Sequence, residues 1–251
     1  GRGAVETDAC LAAHPLLEEL IVAGRYPGAR EVLLRVAVAT GERLVRVDRG
    51  RRKVRVPNGV AVVDKAGFLH DTVAGRSFRI SADSFFQPGP VAAEALVDAV
   101  SAALGDVLGR GGLLVDAYAG VGLFASVLGT RRRARVVAVE HNAAAVADAR
   151  ANLADLDADV VASEVGRWRP RPADAVVADP SRPGLGRPGV DVLAATGAPR
   201  LVLVSCDPAS LARDAGLLAE AGYELASVVL VDAFPHTFHV ETVSRFDRVR
   251  A

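Results

Sequence analysis

Leu113-Leu114-Val115-Asp116-Ala117-Tyr118-Ala119-Gly120-Val121-Gly122 is the stretch on which the fold turns. A short apolar run ends in an acid, a glycine pair spaced G-x-G follows, and a helical pattern begins. Glycines at such a point allow a tight turn and a close approach of backbone to a ligand, just ahead of a helix N-terminus. The next apolar run, Val136-Val137-Ala138-Val139, ends in a second acid, Glu140.

Outward from this stretch, strands and helices alternate at steady spacing. Strands are expected at 112–116, 135–139, 158–162, 173–178, 199–204, 225–231 and 238–246. Helices are expected at 121–130, 142–154, 188–196 and 208–221, preceded by one over 91–108. Repeated βα units imply a mostly parallel sheet covered on both faces, an α/β fold. The last two strands follow each other without a helix, so they are expected to form an antiparallel pair at one side.

Before Pro88-Gly89-Pro90 the texture differs. A short amphipathic helix is expected over 12–23. Short runs rich in Val, Leu and Arg, at 31–39, 43–48, 53–56, 60–64 and 77–80, then alternate with turn signals and read as a small antiparallel β region. Residues 1–85 carry 14 Lys and Arg against 10 Asp and Glu, although the whole chain balances to zero. Arg46, Arg49, Arg51, Arg52, Lys53 and Arg55 concentrate the positive charge. They read either as a solvated edge or as a phosphate-contacting patch.

The 251 residues, half of them apolar, suit one large domain with a small appendage. Cys10 and Cys206 are far apart and form no disulfide framework, as expected of a reducing cytoplasm. No run is long and apolar enough for a bilayer, and no membrane partner is expected. The chain starts at Gly1 and contains no methionine, so we expect a fragment or processed form.

The acid before the glycine loop, Asp116, suits a cationic, zwitterionic ligand better than a pyrophosphate. Glu140 stands where an acid holds a ribose diol. Together they tilt the reading from a nicotinamide cofactor towards S-adenosylmethionine. Ala175-Val176-Val177-Ala178 runs into Asp179-Pro180-Ser181-Arg182, which presents another acid on the ligand-binding edge. Leu201-Val202-Leu203-Val204-Ser205-Cys206-Asp207-Pro208 places a thiol where a strand meets a helix start, with Asp207 as N-cap and Pro208 in the first turn. The positive helix end there is expected to favour the thiolate. Glu241 lies between Val240 and Val243, and a partly desolvated carboxylate can accept a proton near neutrality. His236 and His239 lack a clear third ligand, and no metal site is expected.

The order of motifs resembles one family. Phe85-Phe86-Gln87, Asp116 with Gly120-Val121-Gly122, Asp179-Pro180-Ser181-Arg182-Pro183-Gly184, Val204-Ser205-Cys206-Asp207-Pro208 through Asp214, and Phe234-Pro235-His236-Thr237-Phe238-His239-Val240-Glu241 are similar to the RNA uracil-5-methyltransferases. The resemblance covers most of the chain from Phe85 onward. It implies a Rossmann-like class I methyltransferase domain over 85–251 and a small, β-rich, RNA-contacting domain over 1–84. It also implies roles. Cys206 matches the nucleophile that adds to C6 of uracil, and Glu241 the base that removes the C5 proton. Gln87, Tyr118, Gly120, Gly122, Leu123, Glu140 and Asp179 match the S-adenosylmethionine site. Phe85, Asp179 and Arg182 match the substrate side. A tRNA or rRNA partner, a cytoplasmic location and a monomer are the corresponding expectations.

The chain departs from the family pattern at Ser181, Asp207, Gly89 and Ala119. Cys10 resembles the last ligand of the family's four-cysteine iron–sulfur cluster, but a lone cysteine cannot hold one, so none is expected. The family's N-terminal RNA-binding β-barrel is expected to be missing. An RNA cytosine-5-methyltransferase is the closest rival, yet that chemistry normally wants Pro before the cysteine, and Ser205 stands there. A non-catalytic RNA-binding or folding protein on the same fold is a second rival, and a nicotinamide dehydrogenase a third.

Overall fold

The structure, a computed structural model, describes residues 8–108, 111–233 and 240–249, with Arg52 as backbone only. Seven strands form the main sheet: β6 (Leu113–Ala117), β7 (Arg135–Glu140), β8 (Ala158–Ala162), β9 (Ala175–Ala178), β10 (Arg200–Ser205), β11 (Tyr223–Val231) and β12 (Glu241–Arg248). Their order is β11-β12-β10-β9-β6-β7-β8. The five strands from β10 to β8 are parallel, whereas β12 runs antiparallel between β10 and β11. The expected terminal antiparallel pair is therefore present.

Helices α2 (Pro90–Leu104), α3 (Leu123–Arg132), α4 (Ala143–Asn152), α5 (Gly186–Ala194) and α6 (Pro208–Glu220) pack on the sheet, but the cover expected on both faces does not reach the edge strand β11, which is exposed over 224–230. Alternate residues of each strand serve opposite faces. Leu114, Val177, Val202, Val204 and Val243 pack with α2 and α3 residues such as Leu96, Val97, Phe124 and Val127. Val115, Ala117, Val176, Leu201, Leu203 and Phe246 pack with Trp168, Val190, Leu193 and Leu218. Burial on both faces explains why these strands read as unbroken apolar runs.

The N-terminal part holds α1 (Pro15–Val22) and a three-stranded sheet of β1 (Val32–Val36), β2 (Arg43–Val47) and β3 (Val60–Val63). It departs from the sequence reading in two respects. β3 pairs with β2 in parallel, because the segment 48–59 is long enough to cross over rather than turn back. Residues 53–56 form no strand: a 3₁₀ turn occupies Arg51–Lys53, and Arg55 makes a single bridge with Arg25.

A hairpin of β4 (Phe68–Val73) and β5 (Arg76–Ser81) joins the two parts, and its first strand went unread in the sequence. Its inward set is Leu69, Asp71 and Val73, with Phe68 and Thr72 exposed and His70 partly so. A buried carboxylate breaks the apolar alternation that marks a strand. Asp71 is tolerated because it accepts the Val38 and Ala39 N–H groups (3.1 and 2.9 Å). The connection is a two-residue turn, Ala74-Gly75, with positive φ at both positions.

The hairpin is anchored twice. Val73, Phe78 and Ile80 enter the apolar cluster of α2 and α3, while Leu69 and Ala82 pack with Ala37 and Leu44 of the small sheet. Polar groups on α4 complete the joint. Fully buried Asp148 pairs with Arg79 and accepts from Ser81 N (2.7 Å), Ser81 Oγ (2.8 Å) and Ser84 Oγ (2.5 Å). Asn152 accepts from Arg79 N (2.7 Å) and donates to the carbonyls of Arg79 (3.0 Å) and Val121 (2.9 Å). One residue thus ties the hairpin to the glycine loop. Arg76 reaches Asp155, whose side chain is largely exposed.

Removing one member of a buried charged network strands the others without partners. Asp148→Ala is expected to lower the unfolding free energy by about 3–5 kcal/mol. Asp155→Ala, at the solvent-facing pair of the same joint, is expected to cost below about 1 kcal/mol. Urea denaturation followed by circular dichroism measures both.

Candidate active site

Strands β6, β7, β9 and β10 are parallel, so their carboxyl ends share one edge, where open α/β sheets bind ligands. Acids stand at three of these ends: Asp116, Glu140 and Asp179. Cys206 follows the fourth. Because β12 is antiparallel to β10, its first residue arrives at the same edge. The register pairs Ser205 with Thr242, and one step further Cys206 stands beside Glu241. The Thr242 Oγ1 hydroxyl donates to the Ser205 carbonyl (3.0 Å), which fixes that corner.

On one side of the edge, the glycine loop is drawn onto Glu140. Gly120 N–H donates to Glu140 Oε2 (2.9 Å), and the His141 and Asn142 N–H groups donate to Oε1 (2.7 Å each). Asn142 then caps α4. Tyr118 sits in the left-handed region (φ 61°), a conformation that costs a non-glycine residue energy and concentrates at functional sites. Gly122, also left-handed, is the N-cap of α3, and Leu123 is buried behind it. A Cβ on Gly120 would meet nothing within 4 Å, so the loop faces open space there.

Asp116 is fully buried. Its Oδ2 accepts the Ala125 N–H (2.8 Å), and its Oδ1 has no partner. Burial, with a smaller push from Glu140, raises its pKa to about 7. Gln87 Nε2 donates to Asp179 Oδ2 (3.2 Å), while its Oε1 is buried and unpartnered. Two acceptor atoms thus lie unused at the same edge, which is rare unless a ligand is meant to meet them.

Glu241 lies close enough to act on the protonation of both Asp179 and Cys206, and Asp179 on that of Cys206. Burial and then the Glu241 and Asp116 carboxylates raise the Asp179 pKa to about 8. Burial alone raises Glu241, 6 % exposed, to about 7. Both groups titrate near neutrality, as the apolar setting of Glu241 led us to expect for that residue.

The cysteine departs from expectation. Its thiol is raised above the ordinary value, first by burial and then by Glu241 and Asp179; its own backbone and Arg182 act in the opposite sense. Asp207 caps the helix that follows, with Oδ1 accepting the Ser210 N–H (2.7 Å). Phe85, two residues before Gln87, is 68 % exposed, and Arg182 is exposed on the loop after β9.

That loop is held by a residue to which the sequence reading gave no role. Asp214, fully buried on α6, accepts from Leu185 N (2.6 Å) and Gly186 N (3.1 Å) and pairs with Arg213. The signal was present: an acid three residues after Leu211 and four before Leu218 lies on the apolar face of α6. Among the described residues, no group of three or more His, Cys, Asp or Glu could hold a metal ion, and His236 and His239 lie outside them.

No family model matches the chain. Curated relatives do. An uncharacterized RNA methyltransferase of Streptomyces avermitilis is 34 % identical over 247 residues, covering 96 % of this chain and 55 % of its own length. Another, of Streptomyces coelicolor, is 34 % identical over 261 residues, covering 94 % and 57 %. The chain therefore spans just over half the length of these relatives. Among solved structures, the Pyrococcus abyssi tRNA (uracil-54, C5)-methyltransferase in complex with S-adenosyl-L-homocysteine superimposes with a TM-score of 0.70 at 27 % identity, over 85 % of this chain and 58 % of that one. The M. jannaschii protein TYW2 in complex with AdoMet shares the fold, with a TM-score of 0.57 at 16 % identity, over 82 % and 97 %. By sequence over nearly its whole length, and by fold, the chain is related to these RNA methyltransferases.

Proposed function

We propose that this chain is the catalytic part of an S-adenosylmethionine-dependent enzyme that methylates C5 of a uridine in tRNA or rRNA. The observation that carries this reading is the meeting of Cys206, Glu241 and Asp179 at one sheet edge, beside a glycine loop and two unpartnered buried acceptors.

The residues present fit the cofactor. Asp116 Oδ1 and Gln87 Oε1 are buried acceptors awaiting donors, as an ammonium-bearing ligand would supply. Glu140 Oε2 accepts one N–H and keeps acceptor capacity for a hydroxyl. Tyr118, Gly120, Gly122 and Leu123 form the turn that would lie against the ligand, with Gln87 and Asp179 opposite. When bound, the cofactor supplies an electrophilic methyl group.

The rest is the work of the chain. C5 of uracil is a weak nucleophile. The Cys206 Sγ adds to C6, and the displaced π electrons move towards the C4 carbonyl and make C5 enolate-like, the covalent route that divides one hard step into easier ones. A thiol of raised pKa is a scarcer but intrinsically stronger nucleophile as thiolate. Arg182 is positioned to favour that anion. After C5 is alkylated, Glu241 accepts its proton, the electron pair re-forms the C5–C6 double bond, and Sγ departs. A carboxylate with a pKa of about 7 is matched to that task near neutral pH. Asp179, raised to about 8, can donate a hydrogen bond to the base when protonated. A stacked base cannot reach such an edge, so the uridine must be unstacked, with exposed Phe85 at the rim to receive it.

Incubation of the protein with labelled S-adenosylmethionine and unmodified tRNA or large-subunit rRNA transcripts tests the proposal, with nucleoside mass spectrometry as readout. Label in 5-methyluridine is expected; label in 5-methylcytidine, or none with either RNA, overturns it. Cys206→Ala is expected to abolish transfer and any protein–RNA adduct on denaturing gels while still binding S-adenosylhomocysteine.

Glu241→Gln is expected to slow turnover by about 10²–10⁴-fold while the adduct accumulates. For the wild type, the rate should rise with pH. Below about 7 Glu241 is protonated and cannot accept, so resolution of the pre-formed adduct, which does not draw on the thiolate fraction, slows about tenfold per unit. Adduct resolution at a rate flat between pH 5.5 and 7 would exclude Glu241 as the base.

A further inference from the structure

The hairpin carries a feature that the methyl-transfer chemistry does not use. Phe68, at the start of β4, is 46 % exposed, whereas Phe78 on β5 is fully buried. The Arg79 guanidinium lies over the Phe68 ring, 4.3 Å from its centroid. His70 meets the same ring edge-on at 5.3 Å between centroids. Arg79 is itself held by Asp148 and by Ser81 Oγ (3.2 Å), so the stacked pair is set before any ligand arrives.

A cavity of about 310 Å³ opens against this pair, lined by Gly67, Phe68, Arg79, Ser81, Asp83 and Ala144. It has room for a nucleobase. Its position is informative: Asp83 lies two residues before Phe85, and Ala144 lies in the first turn of α4, just past Glu140. The cavity therefore borders both the segment that leads to the substrate rim and the loop that leads from the cofactor side.

The charges select a base over a phosphate. Asp148 neutralises Arg79, and Asp83 adds a carboxylate that is paired with Arg46 (3.1 Å). An anion would find no uncompensated cation in this lining. A flat, neutral ring with amino or imino donors would find an aromatic–guanidinium wall to stack on and a carboxylate to accept its hydrogen bonds.

We propose that the Phe68–Arg79 pair and the cavity beside it form a second base-binding subsite, which holds one unpaired nucleotide neighbouring the target uridine. The inference rests on the reading that RNA is the substrate. It gives the N-terminal hairpin a part in placing the target: one base clamped between β4 and α4 limits how the strand can reach Cys206.

The test uses the full chain and a 12-nucleotide oligouridylate with a single 2-aminopurine, whose fluorescence is quenched on stacking. The wild type is expected to bind and quench. Phe68→Ala is expected to weaken binding about tenfold and to restore the fluorescence, with S-adenosylhomocysteine affinity unchanged. Phe68→Tyr should stay within twofold of wild type. Ala144→Gln narrows the cavity from α4 without touching the ring and should also weaken binding and quenching. Equal binding and quenching by wild type and Phe68→Ala overturns the inference, as does competition by millimolar inorganic phosphate at constant ionic strength. The two proposals fail separately. Wild type that methylates RNA while Phe68→Ala does so with unchanged KM sinks only the subsite. Wild type that binds and quenches the oligomer but methylates no RNA sinks only the methyltransferase reading.

Discussion

The antiparallel placement of β12 beside β10 is the constraint from which the site follows. Four parallel strands deliver acids and a thiol to one edge, but a parallel strand must end, not begin, at that edge. Only a reversed strand can bring its first residue there. The Ser205–Thr242 register, with its hydroxyl–carbonyl bond, sets Glu241 against Cys206 although thirty-five positions separate them. A slip of one residue would turn Glu241 to the other face of the sheet.

That convergence has an electrostatic cost. Asp116, Asp179 and Glu241 are gathered with little solvent, and each is raised towards neutrality. Buried acids that would ionise freely in the unfolded chain oppose folding as pH rises. The loop that bears Arg182 is held by Asp214 rather than by packing alone. The result is a polar edge on an apolar sheet, with hydrogen bonds that fix several of its groups in advance.

The joint at α4 links the small N-terminal sheet to this edge. Asp148 and Asn152 hold the hairpin by hydrogen bonds, and Asn152 also holds the Val121 carbonyl in the glycine loop. The hairpin that belongs by sequence to the basic N-terminal part is thus fastened by its core residues to the larger part. Any ligand that settles on the hairpin is mechanically close to the loop beneath it.

The α/β architecture was legible because strands buried on both faces must be continuous apolar runs, and because glycines and caps mark where each run yields to a helix. The acids at strand ends and the thiol before Asp207-Pro208 could be picked out for the same reason, since polar residues that close an apolar run stand on the ligand-binding edge. What the sequence could not express depends on contacts distant in the chain. Phe68–Val73 escaped notice because its inward acid is acceptable only when the N–H groups of Val38 and Ala39 meet it. The parallel β2–β3 pairing depends on how residues 48–59 cross over. The Cys206 thiol was expected to be acidified by its helix, and tertiary structure reversed that by burying it and placing two carboxylates beside it. Local pattern determined which elements form and where their polar ends lie. Proximity in three dimensions decided the protonation of those ends, because burial and neighbouring charge act through space and not along the chain.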